Sequence, residues 1–435
     1  MNCKGDRLRV VFDFHRNADT FSIIILKSQM EQLKSLYRDE LMAEYENILQ
    51  FWMDKTIDDA HGGFFGEVDN YGNPLPEAAK GIVLNTRILW TFASAYNFLG
   101  KNAYLEVAHR AYRYITTHFW DKAHKGLFWS VTHKGEVLDG RKQIYAQGFG
   151  IYGFSEYFRA TGNSESLDYA IQLFELIEQH SYDQQYGGYL EALSQNWTPL
   201  NDMRLSAKDA NEPKSMNTHL HIIEPYTNLF RVWPNDRLRD AMHRLVRIFL
   251  DRIINQDTAH FNLFFDMEWR VKSSVISYGH DIEGAWLLCE AAEMLNDKGL
   301  IQEVESIAVR MTDVTIAEGL APDRSLYYEL DEKTGHIDKD RHWWVQAEAM
   351  VGFVNAFQIT GNDAYLKQMD TMWNFIKDNH IDRKNGEWFL RIHNNGCSSE
   401  SDPKAGFWKC PYHNSRALME TYMRLSKVST AVAVK

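Results

Sequence analysis

The sequence predicts an all-α fold, an (α/α)6 barrel of six helical hairpins with short aromatic β-hairpins or loops at one end. Two observations carry this expectation. An aromatic segment recurs six times, and amphipathic and nearly uncharged helical stretches alternate around it. No linker composition interrupts the 435 residues, so one domain is expected over 30–427. Residues 1–29 mix short apolar pieces with Arg and Asp and read as an extension outside the fold, with Met30 as a natural start. Residues 428–435 read as a tail.

The recurring segments are DDAHGGFF (58–65), DKAHKGLFW (121–129), DQQYGGYLE (183–191), DTAHFNLFF (257–265), DRSLYYEL (323–330) and DRKNGEWFL (382–390). Gly or Asn followed by aromatics suggests a turn leading into a short hairpin. Amphipathic stretches precede the segments, such as YLEVAHRAYRYITTHF (104–119) and LRDAMHRLVRIFLDRI (238–253). Their apolar residues recur at three and four positions, as in outer helices. Stretches with little charge follow, such as ILWTFASAYNFL (88–99) and AMVGFVNAFQI (349–359), as expected of inner helices. An open superhelix of helix pairs is the alternative.

In a barrel the inner helices run in one direction, so their first residues converge at one end. Those starts read Asn85-Thr86-Arg87, Tyr145-Ala146-Gln147, Asn217 to His221, Gly279 to Glu283, Trp343 to Glu348, and Pro411 to Asn414. One polar helix start is usually a cap, whereas six together form a pocket. His280 and Glu283, three apart, share a helix face, where the carboxylate can orient the imidazole. His219 and His221 are two apart, so only one can face the lumen. His221 shares its side with Asn217 and Glu224, and Pro225 kinks that helix.

Several chemistries remain open at this point. His221, Glu224 and His280 could hold a metal, although no HExxH spacing supports it. Glu283 and Glu348 could act as paired glycosidase carboxylates, which would not need the histidines. A non-catalytic carbohydrate-binding protein would use the 13 Trp without convergent acid and base groups. No GxSxG elbow, GxGxxG or P-loop is present. A net charge of −12 with scattered Lys and Arg argues against nucleic acid or an anionic membrane as partner. No run reaches the roughly 20 apolar residues of a membrane span, and the four cysteines lack CxxC spacing, so a cytoplasmic location is expected.

The stretches NTHLHIIEPYTNL (217–229), SYGHDIEGAWLL (277–288), RHWWVQAEAMVGF (341–353) and WKCPYHNSRAL (408–418), together with Asn85-Thr86-Arg87, carry a resemblance. They resemble the N-acylglucosamine 2-epimerase superfamily, and most closely its cellobiose 2-epimerase branch, from about Met30 to about Lys427. The resemblance implies reversible inversion at C2 of the reducing-end sugar of a β-1,4-linked disaccharide with a free reducing end, such as cellobiose, lactose or mannobiose; no metal or cofactor is expected from the residues, and a monomer is expected. It places the catalytic pair on His280 and His413, one on each face of C2. It places Arg87 and His221 on the developing oxyanion, and Glu348 on the sugar or its ring opening. Trp343, Trp344 and Trp408 resemble stacking residues. Asn217, Tyr145 and Asp209 are the remaining expected sugar contacts.

Overall fold

The computed structural model describes residues 37–432, so the expected extension at 1–29 lies outside the described residues. Among them are twelve α-helices. The hairpins are α1 (37–55) with α2 (Ile82–Leu99), α3 (Asn102–Tyr114) with α4 (Ile144–Thr161), and α5 (Ser164–His180) with α6 (Met216–Val232). They continue as α7 (Asp236–Ile248) with α8 (Tyr278–Leu295), α9 (Lys298–Val314) with α10 (Trp343–Thr360), and α11 (Asp363–Phe375) with α12 (Tyr412–Val432). Because α12 runs to Val432, the tail expected from residue 428 begins as helix.

Alternation of hydropathy decides which helices lie inside. The first fourteen residues of α10 are all buried, whereas α7 buries only Leu238, Ala241, Met242, Leu245 and Val246, one stripe of an amphipathic helix. Each even-numbered helix contacts the next, and α12 contacts α2. This closure excludes the open superhelix.

Short antiparallel pairings sew neighbouring repeats together at one end. Lys80–Gly81 pairs with Ser130–Val131, Lys142–Gln143 with Ala192–Leu193, and Lys214–Ser215 with Phe264–Phe265. Val275–Ser277 pairs with Glu329–Asp331, and Arg341–His342 with Arg391–Ile392. A bridge between Val68 and Ala405 completes the circle. Beneath the pairings lie buried braces. Lys80 bonds Asp58 at 2.7 Å, Lys142 bonds Asp121 at 3.0 Å, Lys214 bonds Asp183 at 2.7 Å, and Lys404 lies 3.0 Å from Asp382.

Two segments sit in a different register from the sequence alignment. The N–H that bonds across the turn belongs to Asp58, Asp121, Asp183 and Asp382 in four repeats, but to Asn255 and Ala321 in the other two. Asp257 and Asp323 therefore lie two residues past the position their sequence alignment gave them. Asp323 nevertheless pairs with Arg341 at 2.9 Å. Among the described residues no helix is long and apolar enough to cross a membrane.

Candidate active site

A common register in the inner helices separates scaffold from lumen. The fourth residue of four inner helices clamps the neighbouring hairpin. Gln147 Oε1 accepts the Leu127 N–H at 2.7 Å, and Gln346 Oε1 accepts that of Leu326 at 2.8 Å. His219 Nε2 accepts the Tyr189 N–H at 2.9 Å, and Asp281 Oδ1 accepts that of Phe261 at 2.8 Å. Two residues on from these, about 200° around the helix, lie Phe149, His221, Glu283 and Glu348, and Arg87 holds the equivalent place in α2, two residues past its fourth residue Asn85. His219 is thus scaffold, and His221 belongs to the site.

Arg416, on α12, is the hub of the lumen. Its Nη2 donates to Glu283 Oε1 at 2.7 Å and to Glu348 Oε1 at 2.6 Å, and its Nη1 bonds Glu224. All four side chains are buried. Burial and the neighbouring Glu348 push Glu283 well above the usual carboxylate range, and Glu348 is itself raised by burial. Both shifts favour the protonated form within the pair. Burial raises Glu224 as well, but Arg416 and His221 outweigh it and hold it below the ordinary value. The guanidinium of Arg416, with that of Arg87 nearby, offsets the negative charge of these buried carboxyl groups.

Arg87 donates from Nη2 to the Tyr145 hydroxyl at 2.7 Å and lies 3.6 Å from Cys410 Sγ. Its guanidinium covers the rings of Phe149 and Tyr412 at 4.2 and 4.7 Å. Pro225 cannot donate to the His221 carbonyl, and His221 leaves helical geometry (φ −90°, ψ 17°). That carbonyl lies against Gly148, where a Cβ would come within 2.3 Å of it.

The three imidazoles differ in what stands behind them. His413 Nδ1 lies 2.7 Å from Glu348 Oε1, and His221 Nδ1 lies 3.0 Å from Glu224 Oε2. His280 Nδ1 lies 2.7 Å from Ser277 Oγ. None of the three Nε2 atoms has a partner among the described residues. The expected Glu283–His280 contact does not form, because Arg416 takes the Glu283 carboxyl. Glu348, expected on the sugar, is instead engaged by His413, Arg416 and the Trp286 indole.

Burial biases all three rings toward the neutral form. Burial, together with His221, lowers His280 to about 3. Burial lowers His221 to about 4 against the pull of Glu224. Burial followed by Arg87 and Arg416 holds His413 well below its ordinary value. A neutral His221 that donates its Nδ1–H to Glu224 leaves Nε2 as an acceptor. In that tautomer Arg87 is the one of the two residues expected at the oxyanion that offers it N–H groups.

The rim is aromatic. Trp344 lies 4.8 Å from the His280 ring and 5.6 Å from that of His413, so one indole touches both imidazoles. Gly279 permits this, because a Cβ there would meet the Trp344 ring at 2.5 Å. Trp343 is buried with Lys409 Nζ 5.1 Å from its ring, whereas Trp408 is half-buried, 5.9 Å from Tyr145. Arg87 Nε, Asn217 Oδ1 and Trp343 Nε1 are buried without a protein partner, as atoms awaiting a polar ligand would be. Asp209 stands apart, in a loop where its Oδ2 accepts the Ser206 N–H at 2.8 Å.

The metal reading of His221, Glu224 and His280 is not favoured, since Arg416 and Tyr412 hold Glu224. The compact donor set among the described residues is Glu283, Glu348 and His413, within 4.8 Å of one another. Arg416 already bonds Oε1 of Glu283 and Oε1 of Glu348, so a bound cation would face a guanidinium. The same guanidinium lies between the two carboxyls proposed for a glycosidase.

Arg416 escaped the sequence reading, although it lies within the stretch 408–418, and Tyr412 was placed at the helix start without a role. The signal was register: Arg416 follows Asn414 by two residues, as Glu348 follows Gln346.

The family model described as N-acylglucosamine 2-epimerase (GlcNAc 2-epimerase) matches residues 63–417. A cellobiose 2-epimerase of Bacteroides fragilis is 49% identical over 390 residues, covering 90% of this chain and 98% of its own. A cellobiose 2-epimerase of Dictyoglomus turgidum is 37% identical, covering 89% and 98%. The solved structure of cellobiose 2-epimerase from Bacillus thermoamylovorans B4167 matches with a TM-score of 0.85 at 38% identity, covering 91% of this chain and 100% of that one.

Proposed function

Because the chain belongs to the N-acylglucosamine 2-epimerase family and is a carbohydrate epimerase, we propose that it inverts C2 of the reducing-end residue of β-1,4-linked disaccharides. Cellobiose, lactose and mannobiose are the candidate substrates, and His280 and His413 move the proton. The observation that supports this most is the pair of imidazoles set around Trp344, each tied to protein at Nδ1 and free at Nε2.

In the ring-opened aldose, one neutral imidazole takes the C2 proton at Nε2. The C–H electron pair becomes the C1–C2 double bond, and the carbonyl pair moves onto O1. Arg87 is placed to stabilise that oxyanion. The other ring, entering as imidazolium, delivers a proton to the opposite face, so the pair exchanges protonation states in each turnover. His221 Nε2 accepts from a sugar hydroxyl. Trp408, Trp343 and Trp344 supply flat apolar faces for the sugar rings, and Asn217 and Tyr145 supply polar contacts.

Incubating the protein with cellobiose, lactose, mannobiose, mannose and N-acetylglucosamine, then separating the epimers, tests the proposal. Conversion of the disaccharides to their C2 epimers is expected. Turnover of the monosaccharides alone would replace this reading with a monosaccharide epimerase or isomerase.

A further inference from the structure

On the reading above, we propose that Ser277 is a positioning residue that holds His280 as the Nδ1–H tautomer, leaving Nε2 to exchange the C2 proton. The first observation is a cap that is not made. Ser277 occupies the N-cap position of α8, where a serine oxygen ordinarily accepts an N–H from the first turn. Ser215, at the same position of α6, does so, accepting the Thr218 N–H at 3.1 Å. Ser277 makes no cap bond. Its buried hydroxyl instead lies 2.7 Å from His280 Nδ1, so helix stabilisation is forgone to hold the ring.

The second observation is that no other group can do this. Glu283 is turned to Arg416, and Asp281 is taken by His260 and the Phe261 N–H. Trp344 touches the ring face and offers no bond to Nδ1. Both other site histidines are backed by carboxylates, Glu348 and Glu224, whereas His280 is backed by a neutral hydroxyl. A carboxylate stabilises an imidazolium more than a hydroxyl does. Ser277 therefore fixes which nitrogen faces the substrate while leaving the His280 imidazolium the readier of the pair to give up its proton.

The test uses the full chain carrying 15N-labelled histidine. Long-range 1H–15N correlations at neutral pH should show His280 protonated at Nδ1 in the wild type. Ser277→Ala should lose that bias, and Ser277→Thr should retain it. In steady state, Ser277→Ala should lower kcat by about 10- to 100-fold, as misplacement of a reacting group does. KM and melting temperature should hold, because no cap is lost, and Ser277→Thr should restore kcat. An Nε2–H form in the wild type, or an unchanged kcat in Ser277→Ala, overturns the proposal. So does a lower melting temperature with unchanged kcat, which is the signature of a plain cap. The tautomer measurement needs no substrate. A wild type that epimerises no sugar would defeat the functional reading alone, leaving the spectra to decide Ser277.

Discussion

Glu348 Oε1 accepts a hydrogen bond from His413 Nδ1 at 2.7 Å, joining α10 to α12 across 65 residues of chain. The carboxylate fixes the tautomer and orientation of the ring and stabilises the imidazolium that proton transfer creates. Arg416 bonds the same oxygen and so determines where Glu348 can point. A buried ion network thus aims one half of the proposed catalytic pair, while the other half rests on Ser277.

His280→Asn and His413→Asn should each fold and epimerise at least about 100-fold more slowly, the low end for losing general acid–base catalysis. In D2O, wild-type product should carry deuterium at C2, because the delivering imidazole exchanges with solvent. Near-wild-type turnover in both variants, or product with full C2 protium, would overturn the pair.

Arg416→Met should destabilise the protein by about 3–5 kcal/mol, since removing one partner leaves buried carboxyl groups without their countercharge. Denaturant unfolding monitored by Trp fluorescence measures it. A loss below about 1 kcal/mol would mean that the network carries no such weight.

Activity should survive exhaustive chelation, because the Arg416 guanidinium already bonds one oxygen of each of Glu283 and Glu348, where a cation would have to sit. Assaying epimerisation after EDTA dialysis checks this. Loss of activity that a divalent metal restores would return the metal reading.

Trp408→Ala and Trp343→Ala should separate binding from packing. Half-buried Trp408 should raise KM with little change in melting temperature. Trp343, 5% exposed, should do both, since truncating a buried Trp costs about 3–5 kcal/mol. A large melting-temperature loss with unchanged KM for both variants would refute the platform role.

Asp121→Asn should be costly at neutral pH and progressively less so in acid. Burial raises the Asp121 pKa, but the His124 N–H and the Lys142 ammonium lower it further, so the folded value lies below the ordinary one. Its contribution is therefore present above the unfolded pKa of about 3.9 and lost as pH falls through the lowered folded value. The melting-temperature gap between wild type and variant should shrink below about pH 4. A gap constant from pH 7 to pH 3 would refute the brace.

The six repeats, the sorting of helices into inner and outer, and the convergence of inner-helix starts on one mouth could all be read from the chain before it folds. These follow from local periodicity: a helix with one apolar stripe belongs outside, and one without a charged face belongs within. Scaffold and lumen positions were also legible in principle, because two residues along a helix turn a side chain to the other side, as His219 and His221 do. Partnership between side chains was settled by the closed fold. Spacing offered Glu283 to His280, yet the carboxyl turned to Arg416, 133 residues away, and Ser277 took the ring. Glu224 found Arg416 across 192 residues. A buried charge bonds whichever countercharge ring closure brings nearest, and that distance is a property of the closed barrel rather than of any stretch of chain.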